Sequence, residues 1–220
     1  MRDYYGARLA ASRLRRCYQI ASPRVQQYLN AEIDHVLERL GESKDVLELG
    51  CGYGRVLARL KNSARRVVGI DTSLASLLDG RAAGEYGLAQ MNAVSTGFID
   101  RCFDVVVCIQ NGISAFRVDP SHLIRESVRI TRAGGLCLFS TYSEKFWQER
   151  LDWFKAQADE GLIGEIDWKR THDGVIVCED GFEAKTFSRE DFFRLGSATG
   201  QEFKLVEVDD SSLFLEIEVQ

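Results

Sequence analysis

The stretch with the clearest chemical character is the glycine-rich segment VLELGCGYGR at residues 46–55. Gly50, Gly52 and Gly54 follow an apolar run and precede residues with helical spacing. Glycine tolerates positive φ and lets a ligand approach the backbone closely. Backbone N–H groups at the start of a helix favour a carboxylate or a phosphate. The segment therefore predicts a loop that binds a nucleotide-like ligand.

The spacing of these glycines argues against a dinucleotide. The dinucleotide fingerprint places a third small residue where this chain has Arg55. An arginine there would crowd a pyrophosphate and the contact between helix and strand. The GxGxG spacing instead leaves room for a bulkier ligand against the loop.

Two further polar side chains follow predicted strands. Asp71 comes after residues 66–70, and its carboxylate can accept hydrogen bonds from both hydroxyls of a ribose or can cap the next helix. Asn92 follows residues 88–91, and its side-chain oxygen can accept from an adenine amino group or can serve in a turn. Because open parallel sheets bind ligands beyond the carboxyl ends of their strands, the position of Asp71 favours ribose binding.

The elements that must position these residues alternate along the chain. Apolar runs predict five strands, at residues 45–49, 66–70, 88–91, 103–109 and 135–140. Helical spacing of apolar residues predicts the helices between and before them, at about 23–40, 55–60, 72–83 and 121–132. This alternation implies βαβ crossovers, and the continuous apolar runs imply a parallel sheet buried on both faces.

The last third of the chain departs from this alternation. Residues 144–169 hold all three tryptophans and predict an amphipathic helix followed by a loop. Residues 174–187 predict a hairpin, and the segment Ser188–Asp191 predicts a capping box that opens a helix. Two alternating runs, 203–208 and 213–219, then predict paired strands.

Composition limits the classes of protein and partner. With 220 residues, 45% hydrophobic and 28% charged, the chain is typical of a globular protein, and the lack of a linker or repeat predicts a single domain. Its net charge of -5 gives no general attraction to nucleic acid or anionic membranes. No run approaches the length of a membrane span or signal peptide, so we expect a cytoplasmic protein. Six cysteines without a CxxC pair, and three histidines without zinc spacing, predict reduced core thiols and no metal site.

These motifs resemble the class I S-adenosylmethionine-dependent methyltransferases over residues 45–219. Residues 46–55 are similar to the first motif of that family, and Asp71 is similar to its ribose-binding acid. Residues 103–110 resemble its fourth motif, and the turn at 133–135 resembles its Pro-Gly-Gly turn with alanine in place of proline.

The resemblance implies a fold and a division of the chain. The implied fold is α/β, a three-layer Rossmann-like arrangement around a seven-stranded, mostly parallel sheet whose last strand is antiparallel. Residues 1–220 would then be one methyltransferase-like domain, with a helical N-terminal cap at 1–41. A small insertion after the fifth strand, residues 144–187, would carry the hairpin and cover the substrate.

The resemblance also implies S-adenosylmethionine as the cofactor and indicates which residues bind it. The implied cofactor-binding residues lie at the ends of predicted strands: Glu48, Gly50, Cys51, Gly52, Gly54, Arg55, Asp71, Thr72, Asn92, Ala93 and Gln110. The candidates for the substrate pocket are Asn111, Tyr142, Trp147 and His172. Methyl transfer is a direct displacement that needs little covalent chemistry from the protein, and no catalytic base is predicted.

Several functions are compatible with these motifs. A small-molecule acceptor is the leading prediction, with oxygen, nitrogen, carbon or sulfur as the methylated atom; a protein or RNA acceptor is an alternative. Residues 110–113 lack the proline and aromatic residue of adenine-N6 methyltransferases, which argues against that chemistry. A nicotinamide-dependent oxidoreductase and a non-catalytic cofactor-binding partner subunit also stay open. The sequence predicts no oligomeric state.

Overall fold

One seven-stranded sheet organises the part of the chain that the computed structural model describes, which is residue 4 and the ranges 8–41, 44–82 and 86–220. The beginning of the predicted cap and the expected helix end near residue 83 lie outside these residues. The strands are β1 (Asp45–Leu49), β2 (Arg66–Asp71), β3 (Gly87–Gln90), β4 (Phe103–Cys108), β5 (Thr131–Tyr142), β8 (Glu202–Val208) and β9 (Ser212–Glu218). Two further strands, β6 (Ile176–Val177) and β7 (Glu183–Ala184), pair separately as the predicted hairpin.

The strand order of the large sheet is β3-β2-β1-β4-β5-β9-β8. The pairs from β3 through β5 are parallel, whereas β9 is antiparallel to both β5 and β8. The sequence-based prediction of a Rossmann-like sheet with an antiparallel last strand is therefore confirmed.

Helices cover both faces of this sheet because alternate side chains of each strand point to opposite sides. Val46 packs in a cluster with residues of helix Pro23–Leu37, and its neighbour Leu47 packs in another cluster with residues of helix Pro120–Ile130. Every residue of β1 is buried. The other helices in the described residues are Ser12–Gln19, Leu57–Leu60, Leu74–Arg81, Gly112–Ala115, Trp147–Asp159 and Arg189–Ser197, with a 3₁₀ turn at Glu144–Phe146.

Two predicted helices differ in length from the observed ones. The helix predicted to reach residue 132 ends at Ile130, because Thr131 is extended and begins β5. Its hydroxyl donates to the Ser127 carbonyl at 2.7 Å, which satisfies an acceptor of the last helical turn. The helix predicted from residue 55 begins at Leu57, since the turns of the glycine loop continue through Val56.

A third hydrophobic cluster joins the N-terminal helices to the predicted insertion. Tyr28 packs on Tyr142 and Phe146 with ring centroids 5.0 and 5.1 Å apart. The Trp153 indole donates to the Cys17 carbonyl at 2.9 Å, which links helix Trp147–Asp159 to helix Ser12–Gln19. The two segments therefore form one layer of their own. No helix in the described ranges is long and apolar enough to cross a membrane.

Candidate functional site

A cavity of about 280 Å³ lies at the carboxyl ends of β1, β2 and β4, below the layer formed by the N-terminal helices and the insertion. Ten of the eleven predicted cofactor-binding residues line it, and Gly54 does not. Of the substrate-pocket candidates, Tyr142 lines the cavity, whereas Asn111, Trp147 and His172 do not. Strands that are far apart in sequence thus bring one set of polar groups together at one edge.

Asp71 ties the glycine loop to the end of β2. Its Oδ2 accepts from the Gly52 backbone N–H at 2.8 Å, and its Oδ1 accepts from the Ser73 N–H at 2.8 Å. The Ser73 hydroxyl, not Asp71, caps the following helix by accepting from the Ser76 N–H. Asp71 therefore holds the loop and lines the cavity at the same time.

Each of the three positions in the loop requires glycine for a different structural reason. All three have positive φ, at 75°, 53° and 82° for Gly50, Gly52 and Gly54. A Cβ on Gly50 would lie 2.5 Å from the Phe116 ring, and one on Gly54 would lie 2.6 Å from the Tyr86 hydroxyl. Two glycines thus make room for protein side chains, whereas Gly52 lines the cavity without such a close neighbour. Gly50 also lines the cavity, whereas Gly54 does not.

Glu48 is a buried acid at the loop, with 5% of its surface exposed. Burial raises the pKa of Glu48 to about 8, although the nearby Arg55 guanidinium acts in the opposite direction. Its Oε2 has no hydrogen-bond partner among the residues that the structure describes. An unsatisfied buried carboxylate oxygen is costly in a protein alone, and it fits a ligand that brings an N–H donor, such as the amino group of S-adenosylmethionine.

Arg55 is held between two residues of the cavity wall. Its guanidinium lies 4.4 Å from the centroid of the Tyr18 ring and donates a hydrogen bond to the Gln110 side-chain oxygen. This arrangement keeps the positive charge beside the loop, where a carboxylate of the cofactor would benefit from it.

Gln110 and Asn111 form a left-handed turn after β4, with φ of 58° and 62°. Gln110 lines the cavity, but the Asn111 side chain lies behind the wall. There it accepts from the Thr141 hydroxyl at 2.9 Å and donates to the Lys185 carbonyl at 3.0 Å. Asn111 therefore braces the turn, and its prediction as a pocket residue is not supported.

Asn92 and Ala93 line the cavity beyond β3. The Asn92 side-chain oxygen accepts from the Val94 N–H at 3.0 Å, which makes Asn92 a turn residue as well. The two interpretations of this asparagine from the sequence are therefore compatible.

The opposite wall of the cavity comes from the N-terminal helices and the insertion. Tyr18, Trp153, Phe154 and Gln157 line it together with Tyr142. Gln157 was not recognised in the sequence; its position one helical turn after Trp153 is the signal that could have identified it.

Two predicted pocket residues lie elsewhere. His172 is 66% exposed and pairs with Asp173 at 3.2 Å, because it belongs to a surface turn ahead of the hairpin. Trp147 packs beside the buried Arg150, whose guanidinium carbon lies 5.7 Å from the tryptophan ring. Their spacing in the sequence does not reveal that the insertion folds with these side chains turned away from the cavity.

All six cysteines are free thiols, and five of them are buried. Burial raises the pKa of Cys137 and Cys178 to about 12, which disfavours the reactive thiolate at neutral pH. No group of three or more metal-ligating side chains occurs among the described residues.

Comparison with known sequences identifies the domain. A protein-family profile described as "Methyltransferase domain" matches residues 47–139. A ubiquinone biosynthesis O-methyltransferase of Sodalis glossinidius is 25% identical over 134 residues, covering 52% of this chain and 49% of the relative. A malonyl-[acyl-carrier protein] O-methyltransferase of Yersinia pestis is 30% identical over 123 residues, covering 53% and 44%. The chain thus spans about half the length of the curated relatives it matches.

Solved structures share the fold over most of the chain. The PH0226 protein of Pyrococcus horikoshii superimposes with a TM-score of 0.68 at 17% identity, covering all of both chains. CalS10, an amino pentose methyltransferase from Micromonospora echinaspora solved with S-adenosylmethionine bound, gives a TM-score of 0.59 at 14% identity, covering 86% and 90%.

The fold, the glycine loop with Asp71 and the matched domain agree on one assignment. Together they support a class I S-adenosylmethionine-dependent methyltransferase domain that includes the matched residues 47–139. The cofactor of this family is S-adenosylmethionine, as the sequence predicted.

Proposed function

We propose that this protein transfers the methyl group of S-adenosylmethionine to a small molecule enclosed in the cavity. The observation that carries the proposal is the division of the cavity into two walls of different chemistry. Glu48, Gly52 and Asp71 supply polar groups on one side, and Tyr18 with the insertion helix supplies aromatic groups on the other. The first wall suits the cofactor, and the second suits an acceptor of limited size.

The residues of the first wall would hold the cofactor. Asp71 would accept from the ribose hydroxyls, Glu48 from the amino group, and the N–H groups at the start of the helix after Gly54 would donate to the carboxylate. Asn92 and Ala93 would lie at the adenine. When bound, S-adenosylmethionine supplies a methyl group activated by a positively charged sulfur, so displacement in line with that bond needs mainly orientation and the exclusion of water.

Gln157 carries the side-chain amide of the acceptor wall. It is only 3% exposed and lines the cavity from the insertion helix. Because an amide can both donate and accept hydrogen bonds, we infer that it binds a polar group of the acceptor. Tyr142 and Trp153 would flank the same molecule.

The charges of the cavity favour an acceptor that loses its proton without a base from the protein. Among the described lining residues the carboxylates are Glu48 and Asp71, and both lie at the cofactor wall. A carboxylate or an acidic phenol needs no base, whereas a neutral amine or alcohol does. The names of the O-methyltransferase relatives are consistent with an oxygen acceptor in this chain.

The fold alone does not fix the reaction. The [4+2]-cyclase SpnF shares the fold, with a TM-score of 0.65 at 15% identity. The fold therefore also occurs in a protein named for a different reaction, and a non-catalytic cofactor-binding subunit is likewise compatible with the cofactor wall.

Thermal unfolding with S-adenosylhomocysteine, and separately with NADH, tests the cofactor. A ligand at about 100 times its Kd adds ~2.7 kcal/mol, which raises Tm by roughly 5–11 °C at this chain length. We expect that rise with S-adenosylhomocysteine alone. A rise with NADH alone would support an oxidoreductase instead.

A variant of Gln157 tests the acceptor wall. We expect Gln157→Leu to raise the KM of an acceptor, found by screening carboxylates and phenols, at least 10-fold with unchanged S-adenosylhomocysteine affinity. Gln148→Leu is the matched control, since Gln148 lies on the same helix and bonds to the exposed side chain of Asp152. Equal KM values for the two variants would remove Gln157 from the acceptor site. Absence of turnover with every acceptor, despite cofactor binding, would favour the partner subunit.

A further inference from the structure

Glu32 is a fully buried carboxylate that none of the sequence motifs includes. It lies on helix Pro23–Leu37, outside the segment matched by the family profile. Its Oε2 accepts from the Gln110 backbone N–H at 2.6 Å and from the Ser140 hydroxyl at 2.8 Å. Its Oε1 accepts from the Ser212 hydroxyl at 2.6 Å. One side chain therefore connects the N-terminal helix to the residue after β4 and to strands β5 and β9.

The backbone that Glu32 holds has a conformation that needs support. Gln110 and Asn111 both have positive φ, which residues other than glycine adopt rarely and keep only where the surroundings determine it. Asn111 is fixed through its side chain by Thr141 and Lys185. Gln110 is fixed through its backbone N–H, which donates to the Glu32 carboxylate at 2.6 Å and to the Ser140 hydroxyl at 2.8 Å. Glu32 also accepts from that hydroxyl, so it holds both partners of the N–H in place.

This turn also sets the position of a cavity residue. The Gln110 side chain lines the cavity, accepts from Arg55, and donates to the Leu29 carbonyl at 3.3 Å. A change in the backbone at Gln110 would therefore move both Gln110 and its contact with Arg55. Such small displacements in an active site reduce rate strongly, because transfer depends on the alignment of the reacting groups.

We propose that Glu32 is a positioning residue, which fixes the left-handed turn at the cavity floor from the N-terminal helix. Glu32 does not line the cavity, so it acts through Gln110 and not on a ligand. The kinetic consequence rests on the proposed methyl transfer, whereas the structural consequence does not.

The same group responds to pH. Burial raises the pKa of Glu32 to about 7, opposed by its hydrogen bonds from Ser212, Ser140 and Gln110. The titratable groups that face it from the packed elements are Tyr28 on its own helix, Cys108 on β4, Tyr142 on β5 and Arg55 at the glycine loop. Above about pH 7 both carboxylate oxygens only accept, and below it one carries a proton, so the support of the turn changes near neutrality.

The amide of Gln110, observed by NMR in the free protein, tests this directly. In Glu32→Ala we expect its hydrogen exchange to accelerate at least 10-fold. In Glu32→Gln we expect a smaller acceleration, because the side-chain amide oxygen can still accept. Glu38→Ala is the control, since Glu38 is exposed at the end of the same helix.

The pH dependence of the Gln110 amide signal distinguishes a positioning role of the Glu32 carboxylate from a role in packing alone. We expect the Gln110 amide shift to show an inflection near pH 7 that disappears in Glu32→Gln. Ser212→Ala keeps the charge but removes a donor to the ionised form, so the inflection should move to higher pH. If the Gln110 signal exchanges and titrates alike in all variants, the proposal is wrong.

A kinetic measurement extends the test when an acceptor is known. We expect Glu32→Ala to lower kcat at least 10-fold while the KM for S-adenosylmethionine stays within about 3-fold. A wild-type protein that methylates nothing would contradict the proposed function, yet the NMR results would still decide the role of Glu32. Unchanged kcat in Glu32→Ala would contradict positioning even with active wild-type protein.

Discussion

Asp71 performs two tasks with one carboxylate. It accepts from the backbone of Gly52 and of Ser73, and it lines the cavity. The glycine loop therefore has its shape before a ligand arrives, which reduces the entropy lost on binding. The residue that the sequence predicted to bind the ribose is also part of the scaffold.

Replacement of Asp71 by alanine should weaken S-adenosylhomocysteine binding by about 1–3 kcal/mol, since a charged acceptor is lost. Isothermal titration calorimetry measures the change. Asp34→Ala is the control, because Asp34 forms an exposed ion pair with Arg59 away from the cavity. Unchanged affinity in Asp71→Ala would exclude Asp71 from the ribose site.

Replacement of Gly52 by valine should abolish cofactor binding but leave a folded protein. A branched side chain at φ of 53° is strained, and its Cβ would lie 3.1 Å from Leu14 at the cavity wall. Gly134→Val is a matched control, because Gly134 has φ of 74° with open space around its Cβ position. Calorimetry and circular dichroism distinguish the outcomes; binding retained by Gly52→Val would make the loop purely structural.

The sequence identified most cavity residues that follow strands, because strand ends are visible as apolar runs that stop at polar residues. It did not identify Gln157 or Glu32, which contact the site from helices. A polar residue on the apolar face of a helix, as Glu32 is, gives a signal in the sequence, but not the identity of its partner. His172 was predicted at the pocket but does not line the cavity, since the sequence around a histidine in a loop does not indicate the direction of its side chain.

At the scale of elements, the helices Ser12–Gln19 and Trp147–Asp159 depend on each other. The Trp153 indole donates across the contact to the Cys17 carbonyl, and the Arg16 guanidinium pairs with Glu160 at 2.6 Å. The exposed pair contributes little, whereas the buried hydrogen bond leaves an unsatisfied carbonyl when it is removed. The wall of the cavity that these two helices form therefore depends on this hydrogen bond for its stability.

Trp153→Phe should lower the free energy of unfolding by about 1–3 kcal/mol, because the Cys17 carbonyl stays buried without its donor. Urea denaturation of the free protein measures the loss. The corresponding change at Trp168, which is 60% exposed, should alter stability by less than about 0.5 kcal/mol. Equal effects at the two sites would show that the buried hydrogen bond is not what stabilises the contact.

The type of each long element was predictable, but not every boundary. The capping box of Ser188 and Asp191 could be predicted because the two residues are only three positions apart in the sequence. The structure contains it. The start of β5 at Thr131 was not visible, since the pairing with Phe103 that extends it is a tertiary contact. The seven-stranded sheet with its antiparallel last strand followed from the family resemblance, whereas the order of its strands was not predicted.

At the scale of the whole molecule, the free energy of unfolding depends on pH through two buried acids, Glu48 and Glu216. Their contributions change with pH in opposite directions. Folding raises the pKa of Glu48 from 4.5 to about 8, so the folded state binds the proton more tightly and loses stability as pH rises from about 4.5 to 8. Folding lowers the pKa of Glu216 to about 2, through donors that include His35, Arg39 and Lys204, and its contribution is lost as pH falls from about 4.5 to 2.

Glu48→Gln should therefore raise the free energy of unfolding relative to wild type at pH 9 and change it little near pH 4. Glu216→Gln should be destabilising at pH 7, because it removes a buried carboxylate that pairs with Arg39 and Lys204. Urea denaturation across this pH range measures both. A Glu48→Gln variant with no stability gain at pH 9 would show that the buried carboxylate is stabilised by groups other than those described.

The position of β9 between β5 and β8 also determines the order in which the molecule can assemble during synthesis. β8 precedes β9 in the chain but has no other neighbour in the sheet, so it must wait for its partner. Ser212, which holds Glu32, also arrives with β9. A nascent chain that stops before β9 would therefore expose the edge of β5, which invites pairing with other chains. Translation must pass Ser212 before the cavity floor is complete.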